Sequence, residues 1–194
     1  MSYVPIEKLN KLSKGNHQGV VANISPIIFV SLNDLVESVQ NKSTIPLYLL
    51  LDGITDVRNF GAIIRTAECC GVDGIIVQEK GSAPINADTV KTSAGAVFKV
   101  PICKVDHIKD ALFHLQTYDV KIVAATEKTD ETVYDIDLKQ PLAIVMGDEA
   151  KGVSNSILKL ADFRAKLPML GEIASLNVSV ACGAVLYETV RQRS

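Results

Sequence analysis

"LYLLLDGITDVRNFGAIIRTAECCGVDGIIV", residues 47–77, reads as strand, helix, strand. Residues 47–54 are nearly all apolar, as in a strand covered on both faces. Residues 59–71 then carry apolar residues at helical spacing and stop at Gly71, where a glycine suits the position just past a helix end. "GIIV" at 74–77 is a short second strand.

The alternation continues outward. Residues 86–96 read as helix or turn, capped by Asn86 or Asp88. Residues 97–105 read as a strand, placed at a sheet edge by Pro101. In the amphipathic helix predicted over 107–118, Ile108, Ala111, Leu112 and Leu115 share a face. Residues 120–126 and 141–147 read as strands, 154–162 as a helix capped by Ser154 or Asn155, and 163–169 as a last strand. A long C-terminal helix follows from "SLNVSVACGAVLYE" (175–188), with Leu176, Val180, Ala184 and Tyr187 at helical spacing and Ser175 as its cap. Strands alternating with helices imply an α/β fold, a mostly parallel sheet with helices on both faces. Ligands in such folds bind beyond the carboxyl ends of the strands. Three clusters stand there: residues 56–66, 147–154 and 171–179.

The totals narrow the class. The chain has 194 residues, 47% of them hydrophobic, which suits one folded domain. A net charge of -2 and a pI near 5.9 give no global sign of nucleic-acid binding, although a local basic patch can act within a neutral total. Cys69, Cys70, Cys103 and Cys182 form no CxxC pair, so a zinc site is not expected, and reduced thiols point to a cytoplasmic setting. No signal peptide and no membrane-spanning run are read, so no membrane partner is expected.

Each cluster has a structural and a chemical reading. In "DVRNFGAIIRTA", Arg65 interrupts an apolar helix; it pairs with Glu68 three residues on, or it points its fork at a phosphate or ribose. In "VMGDEAKGVS", Gly147 and Gly152 frame a charged surface turn, or Gly147 lets backbone approach a ligand while Glu149 anchors it. The stretch is neither a P-loop nor a GxGxxG fingerprint. In "LPMLGEIASLN", a cap explains Ser175 but leaves Asn177 over.

Taken in order, the three clusters resemble the three motifs of SpoU-type (TrmH-like) RNA 2′-O-ribose methyltransferases of the SPOUT class. The likeness spans roughly residues 17–193, and "HQGVVA" and "YETVRQR" are similar to the branch that methylates a guanosine in 23S ribosomal RNA. Ala150 departs from the glycine usual after the motif-two glutamate. The resemblance implies a C-terminal trefoil knot binding S-adenosylmethionine, a homodimer with its site near the subunit interface, and no metal. It implies cofactor contacts at Gly147, Leu167, Leu176, Met169 and Thr126, and catalytic roles for Arg65, Asn59, Glu149, Ser175 and Asn177. Arg65 would clamp a substrate phosphate and polarise the hydroxyl, because a guanidinium stays charged. Asn59 would orient that arginine or the ribose, and Glu149 would anchor the motif-two turn. In that branch an RNA-binding domain precedes the catalytic one. Residues 1–22 are therefore expected to be a linker or the remnant of such a domain, and residues 23–194 the catalytic domain.

RNA is the implied partner, ribosomal RNA ahead of tRNA. Lys8, Lys11, Lys14, Arg58, Lys91 and Lys151 form either a basic rim for it or a solvated face. Two rivals stand beside this reading. An inactive RNA-binding module would not need all five motif residues, and a nucleotide-binding dehydrogenase would need the missing glycine fingerprint.

Overall fold

Leu47–Asp52 form β1, whose first five residues are buried. Side chains alternate across a strand, so a run apolar at every position needs cover on both faces. Leu47, Leu49 and Leu51 pack into one core, Tyr48 and Leu50 into the other. The computed structural model describes residues 3–21, 25–42, 44–173 and 175–194; the expected domain boundary at 22/23 lies outside them.

In chain order come α1 (Ile6–Leu12), α2 (Leu32–Gln40), β1, α3 (Val57–Cys69), β2 (Gly74–Gln78), α4 (Ala87–Thr92) and a 3-10 turn (Ala96–Phe98). Then follow β3 (Ile102–Val105), α5 (Ile108–Gln116), β4 (Lys121–Ala125), β5 (Leu142–Gly147), α6 (Asn155–Leu158), β6 (Phe163–Ala165) and α7 (Val178–Arg193). The sheet order is β3-β2-β1-β5-β4-β6, with every pair parallel. Side chains of α3 and α7 fill the core on one face; α2, α5 and α6 fill that on the other. The α/β class with helices on both faces is thus as expected.

From β1 the chain steps outward to β2 and β3, returns to β4, and inserts β5 between β4 and β1. The strand order therefore reverses at the β1–β5 pair, where Asp52 lies opposite Gly147. Both candidate cavities lie at this end of the sheet.

Several boundaries differ from the sequence reading, each for a local reason. β3 begins only after Pro101, whose carbonyl accepts from Ile75 N–H at 2.9 Å; Ala96–Phe98 turn instead, behind Gly95 at φ 82°. β3 does lie at the sheet edge. β6 stops at Ala165, because Lys166 exchanges backbone hydrogen bonds with the 131–133 segment. α6 covers only Asn155–Leu158, and both Arg164 Nε and Nη2 donate to the Leu158 carbonyl at its end. α2, not anticipated, is capped by Ser31, whose Oγ accepts from Asp34 N–H. The cap of α7 is Asn177 rather than Ser175, and Leu176 lies before the helix. As read, Gly71 follows α3 in the left-handed region and Asn86 caps α4.

Cys70, Cys103 and Cys182 are buried free thiols, and Cys69 is exposed. Burial pushes the Cys70 and Cys103 thiols up to about 11 and Cys182 to about 12, which keeps them protonated.

The far end of α7 is tied to the opposite edge of the core. Arg193 donates to four carbonyls: Leu138 (3.0 Å), Ile45 (2.9 Å), Pro46 (3.2 Å) and Gln140 (2.7 Å). One turn earlier, buried Glu188 accepts from Arg191 and Gln192, and Gln192 also bonds the backbone of Ile136 and Leu138. The hydrogen bond from Arg191 holds the Glu188 carboxyl below its ordinary value.

Arg193→Ala removes donors from partly buried carbonyls and should cost about 1–2 kcal/mol, read as a lower urea midpoint at unchanged slope. Folding favours the charged form of Glu188. Its contribution is therefore complete above about pH 4.5 and lost as pH falls through the lowered folded-state value. Glu188→Gln should accordingly show a shallower loss of stability below about pH 4.5 than the parent, measured by urea titration across pH.

Candidate active site

β5 ends at Gly147, and the chain at once doubles back. A Cβ at Gly147 would fall inside contact distance of the Gly152 carbonyl carbon and Val153 nitrogen, so only glycine allows this packing. The returning loop is held from within. Asp148 O accepts from Gly152 N–H at 2.8 Å, and its Oδ1 accepts from Ala150 and Lys151 N–H at 2.9 and 3.0 Å. Gly152 takes φ +68°, the left-handed region that favours glycine. Ala150 does not, so the turn accepts alanine there without strain. Asp52, ending β1, receives Ser154 N–H at 2.8 Å and fixes the loop's exit.

This loop walls a cavity of about 440 Å³ between the ends of β4, β5 and β6 and the start of α7. The five residues expected to hold the cofactor, Gly147, Leu167, Leu176, Met169 and Thr126, all line it. Leu167, Met169 and Leu176 come from the segment between β6 and α7, while nearly buried Thr126 is held by its N–H to Ala165 O at 2.9 Å. The volume lies within the roughly 300–1,000 Å³ typical of small-molecule sites. Met146, Leu167, Met169 and Leu176 share the lining with Thr126, Glu149 and Lys151, and this mixture suits a flat heterocycle with a polar edge.

Beside the cavity the three clusters meet. Asp56 caps α3, its Oδ1 accepting from Arg58 and Asn59 N–H at 2.8 Å each. That cap fixes the first turn, from which Asn59 Nδ2 donates to the Glu149 carboxylate. Asn59 Oδ1 accepts from Asn177 Nδ2 at 3.1 Å. Asn177 Oδ1 in turn accepts from Ser179 N–H at 2.9 Å and Ser179 Oγ at 2.6 Å. Asn177 therefore does two jobs, capping α7 and joining the network. Glu149 and Ser175 also line the cavity.

Arg65 stands apart. It is exposed on α3 with no ion pair among the described residues, and it does not line the cavity. Its suggested structural partner, Glu68, instead pairs with Lys99 at 3.3 Å. Of the suggested basic rim, Lys151 reaches the cavity. Lys8 and Lys11 lie on α1, which buries no residue, and Lys14, Arg58 and Lys91 are exposed elsewhere. Sequence reasoning missed Asp52, Asp148, Lys128 and Ser179. The signals were an aspartate closing an apolar strand and a serine two residues after the capping asparagine. Among the described residues no cluster of metal ligands occurs, and no helix is long and apolar enough to cross a membrane.

Gly147→Ala should force the returning loop outward at a cost of about 1–3 kcal/mol. Faster amide exchange at Gly152, whose N–H now closes on Asp148, is the expected readout.

Residues 46–187 match the model of the SpoU rRNA Methylase family. The chain is 41% identical to the 23S rRNA (guanosine-2′-O-)-methyltransferase RlmB of Pseudomonas aeruginosa, over 96% of this chain and 75% of that protein. It is 40% identical to the RlmB of Shewanella oneidensis, over 94% and 74%. Among solved structures, the SpoU methyltransferase AviRb of Streptomyces viridochromogenes in complex with the cofactor AdoMet superposes with a TM-score of 0.77 at 30% identity; the match covers 86% of this chain and 66% of AviRb. The TrmH/SpoU tRNA modifying enzyme of A. aeolicus gives 0.71 at 36% identity, over 84% and 82%. A family match running from the start of β1 into α7, with relatives aligned across nearly the whole chain, leads to one affiliation: this chain belongs to the SpoU rRNA methylase family.

Proposed function

We propose that the chain transfers a methyl group from S-adenosylmethionine to the ribose 2′-hydroxyl of a guanosine in 23S ribosomal RNA. The observation that carries this reading is a cavity of mixed apolar and polar lining at the strand ends, beside which three separate segments are joined through Asn59, Glu149 and Asn177. The RlmB relatives are named for that reaction, and AviRb was crystallised with AdoMet.

When bound, S-adenosylmethionine supplies an electrophilic sulfonium methyl. The chain supplies position and charge. Gly147 opens the backbone to the cofactor's polar edge, while Leu167, Leu176 and Met169 pack its apolar surface and Thr126 closes the back. Asn177 and Asn59 hold Glu149 at the cavity wall, where its carboxylate anchors the motif-two turn against substrate. Ser175 sits at the mouth. Arg65 clamps a substrate phosphate and polarises the hydroxyl, whose proton leaves to phosphate or water.

Because Arg65 lies outside the cavity of its own chain, it acts best across a homodimer. Val180 and Tyr187 on α7 are exposed, as are Leu170 and Ile173 beside the cavity segment, and these supply apolar surface for such contact. In this reading the segment leading into α7 is drawn into a C-terminal trefoil knot. Residues 1–22 serve as a linker to, or the remnant of, an RNA-binding domain ahead of the catalytic one, and the enzyme works in the cytoplasm. The likeness to a tRNA modifying enzyme favours a second reading, a ribose in tRNA.

Tritiated methyl transfer to total RNA, followed by mapping of the labelled nucleotide, tests the assignment. Label in 23S rRNA at a guanosine is expected, and label confined to tRNA would favour the second reading. Arg65→Ala should leave cofactor affinity within about twofold and lower turnover about a hundredfold or more. Sedimentation at micromolar concentration should show a dimer.

A further inference from the structure

A second cavity, of about 420 Å³, opens at the ends of β1 and β5, where the strand order reverses. In open α/β sheets that reversal is where ligands are taken up. It shares Lys128, Asp148, Lys151 and Gly152 with the first cavity, so these residues form the wall between the two. Its remaining lining mixes the polar side chains of Asp52, Thr55, Ser154 and Asn155 with apolar surface from Gly53 and Val153, as a flat base with a polar edge needs.

The chemistry of this wall selects among the parts of an RNA nucleotide. A bare phosphate seeks cations and N–H groups and is repelled by carboxylates. Here two carboxylates stand with two ammonium groups, a mixture that suits a base presenting donors and acceptors side by side. Guanine has adjacent N–H donors at N1 and N2, which one carboxylate can accept together, with O6 next to them to receive a lysine N–H. Asp52 is available for this role. Its Oδ2 accepts from Ser154 N–H, and its Oδ1 takes no hydrogen bond among the described residues. Lys128 and Lys151 form no ion pair among the described residues.

We propose that this second cavity receives the splayed-out guanine of the target nucleotide, with Asp52 accepting from its N1 and N2 donors and Lys128 and Lys151 donating to O6. The inference rests on the methyltransferase reading above and adds the subsite that specifies the base. A base seated there keeps its ribose at the shared wall, beside the cofactor cavity. Asp52 also ends the strand paired with Gly147, so base selection and cofactor binding share one rigid support.

The test uses synthetic RNA carrying the mapped target as guanosine or as inosine, which lacks the N2 amino group. The parent protein should lose roughly tenfold or more in kcat/KM on inosine. Asp52→Asn keeps an oxygen for Ser154 N–H. It should lose roughly tenfold or more on guanosine, bring the guanosine-to-inosine ratio near one, and leave cofactor affinity within about twofold. Thr55→Phe, at an exposed position on the cavity lining, should block RNA turnover while cofactor binding persists. A mapped target other than guanosine, a parent indifferent to inosine, an Asp52→Asn variant with unchanged discrimination, or a fully active Thr55→Phe variant would each overturn the proposal. A parent that methylates no RNA at all would instead sink the underlying methyltransferase reading.

Discussion

At the end of β5 the chain folds back so closely that Gly147 lies against the peptide joining Gly152 to Val153, with no space for a Cβ. Everything at the active end of the sheet is arranged around that contact. It fixes where the 148–153 loop stands, and the loop forms the wall of both cavities. The contact is tolerable because β5 is central and buried along its whole length, flanked by β1 and β4, so the strand beneath the loop cannot drift. Asp148 and Asp52 then occupy the loop's N–H groups, which would otherwise be left unpaired beside the cavities.

The side-chain network depends on this scaffold. Asn59 is set by the first turn of α3, Asn177 by the first turn of α7, and Glu149 by the loop. Each is oriented by backbone that is already satisfied, so little freedom remains to be lost when a ligand arrives. The same logic separates Arg65 from the others. It projects from α3 into solvent and forms no ion pair among the described residues.

Much of the fold was legible because burial on both faces leaves a plain mark. The runs at 47–51 and 142–146 have no polar residue to expose, and Gly71 and Asn86 punctuate the helices around them. The failures were local contests. Pro101 starts β3 where an apolar run suggested continuity, and Asn177 outcompetes Ser175 as a cap because it also bonds Asn59. Ser31 and Asp34, three apart, mark the start of α2, but its apolar stripe of Leu35, Val36 and Val39 is too short to stand out as a helical period. The cavity residues were picked out through family resemblance, not spacing. Hydrogen bonds spanning 90 and 118 positions leave no periodic trace. For the same reason Asp52 escaped notice, since within its own strand it looks like an ordinary polar terminus.

Those long separations bear on the order in which the molecule becomes functional. Contacts between distant positions form late, because the intervening chain must first be organised. The β1–α3–β2 unit can gather from neighbouring residues, whereas the cavity lacks its last wall until α7 has packed against the sheet. A partly folded chain thus offers a small molecule only an open, incomplete cavity. With the methyl donor seated as proposed, occupancy of the finished cavity favours the complete fold alone, so ambient donor concentration becomes one of the variables that set how long the protein survives.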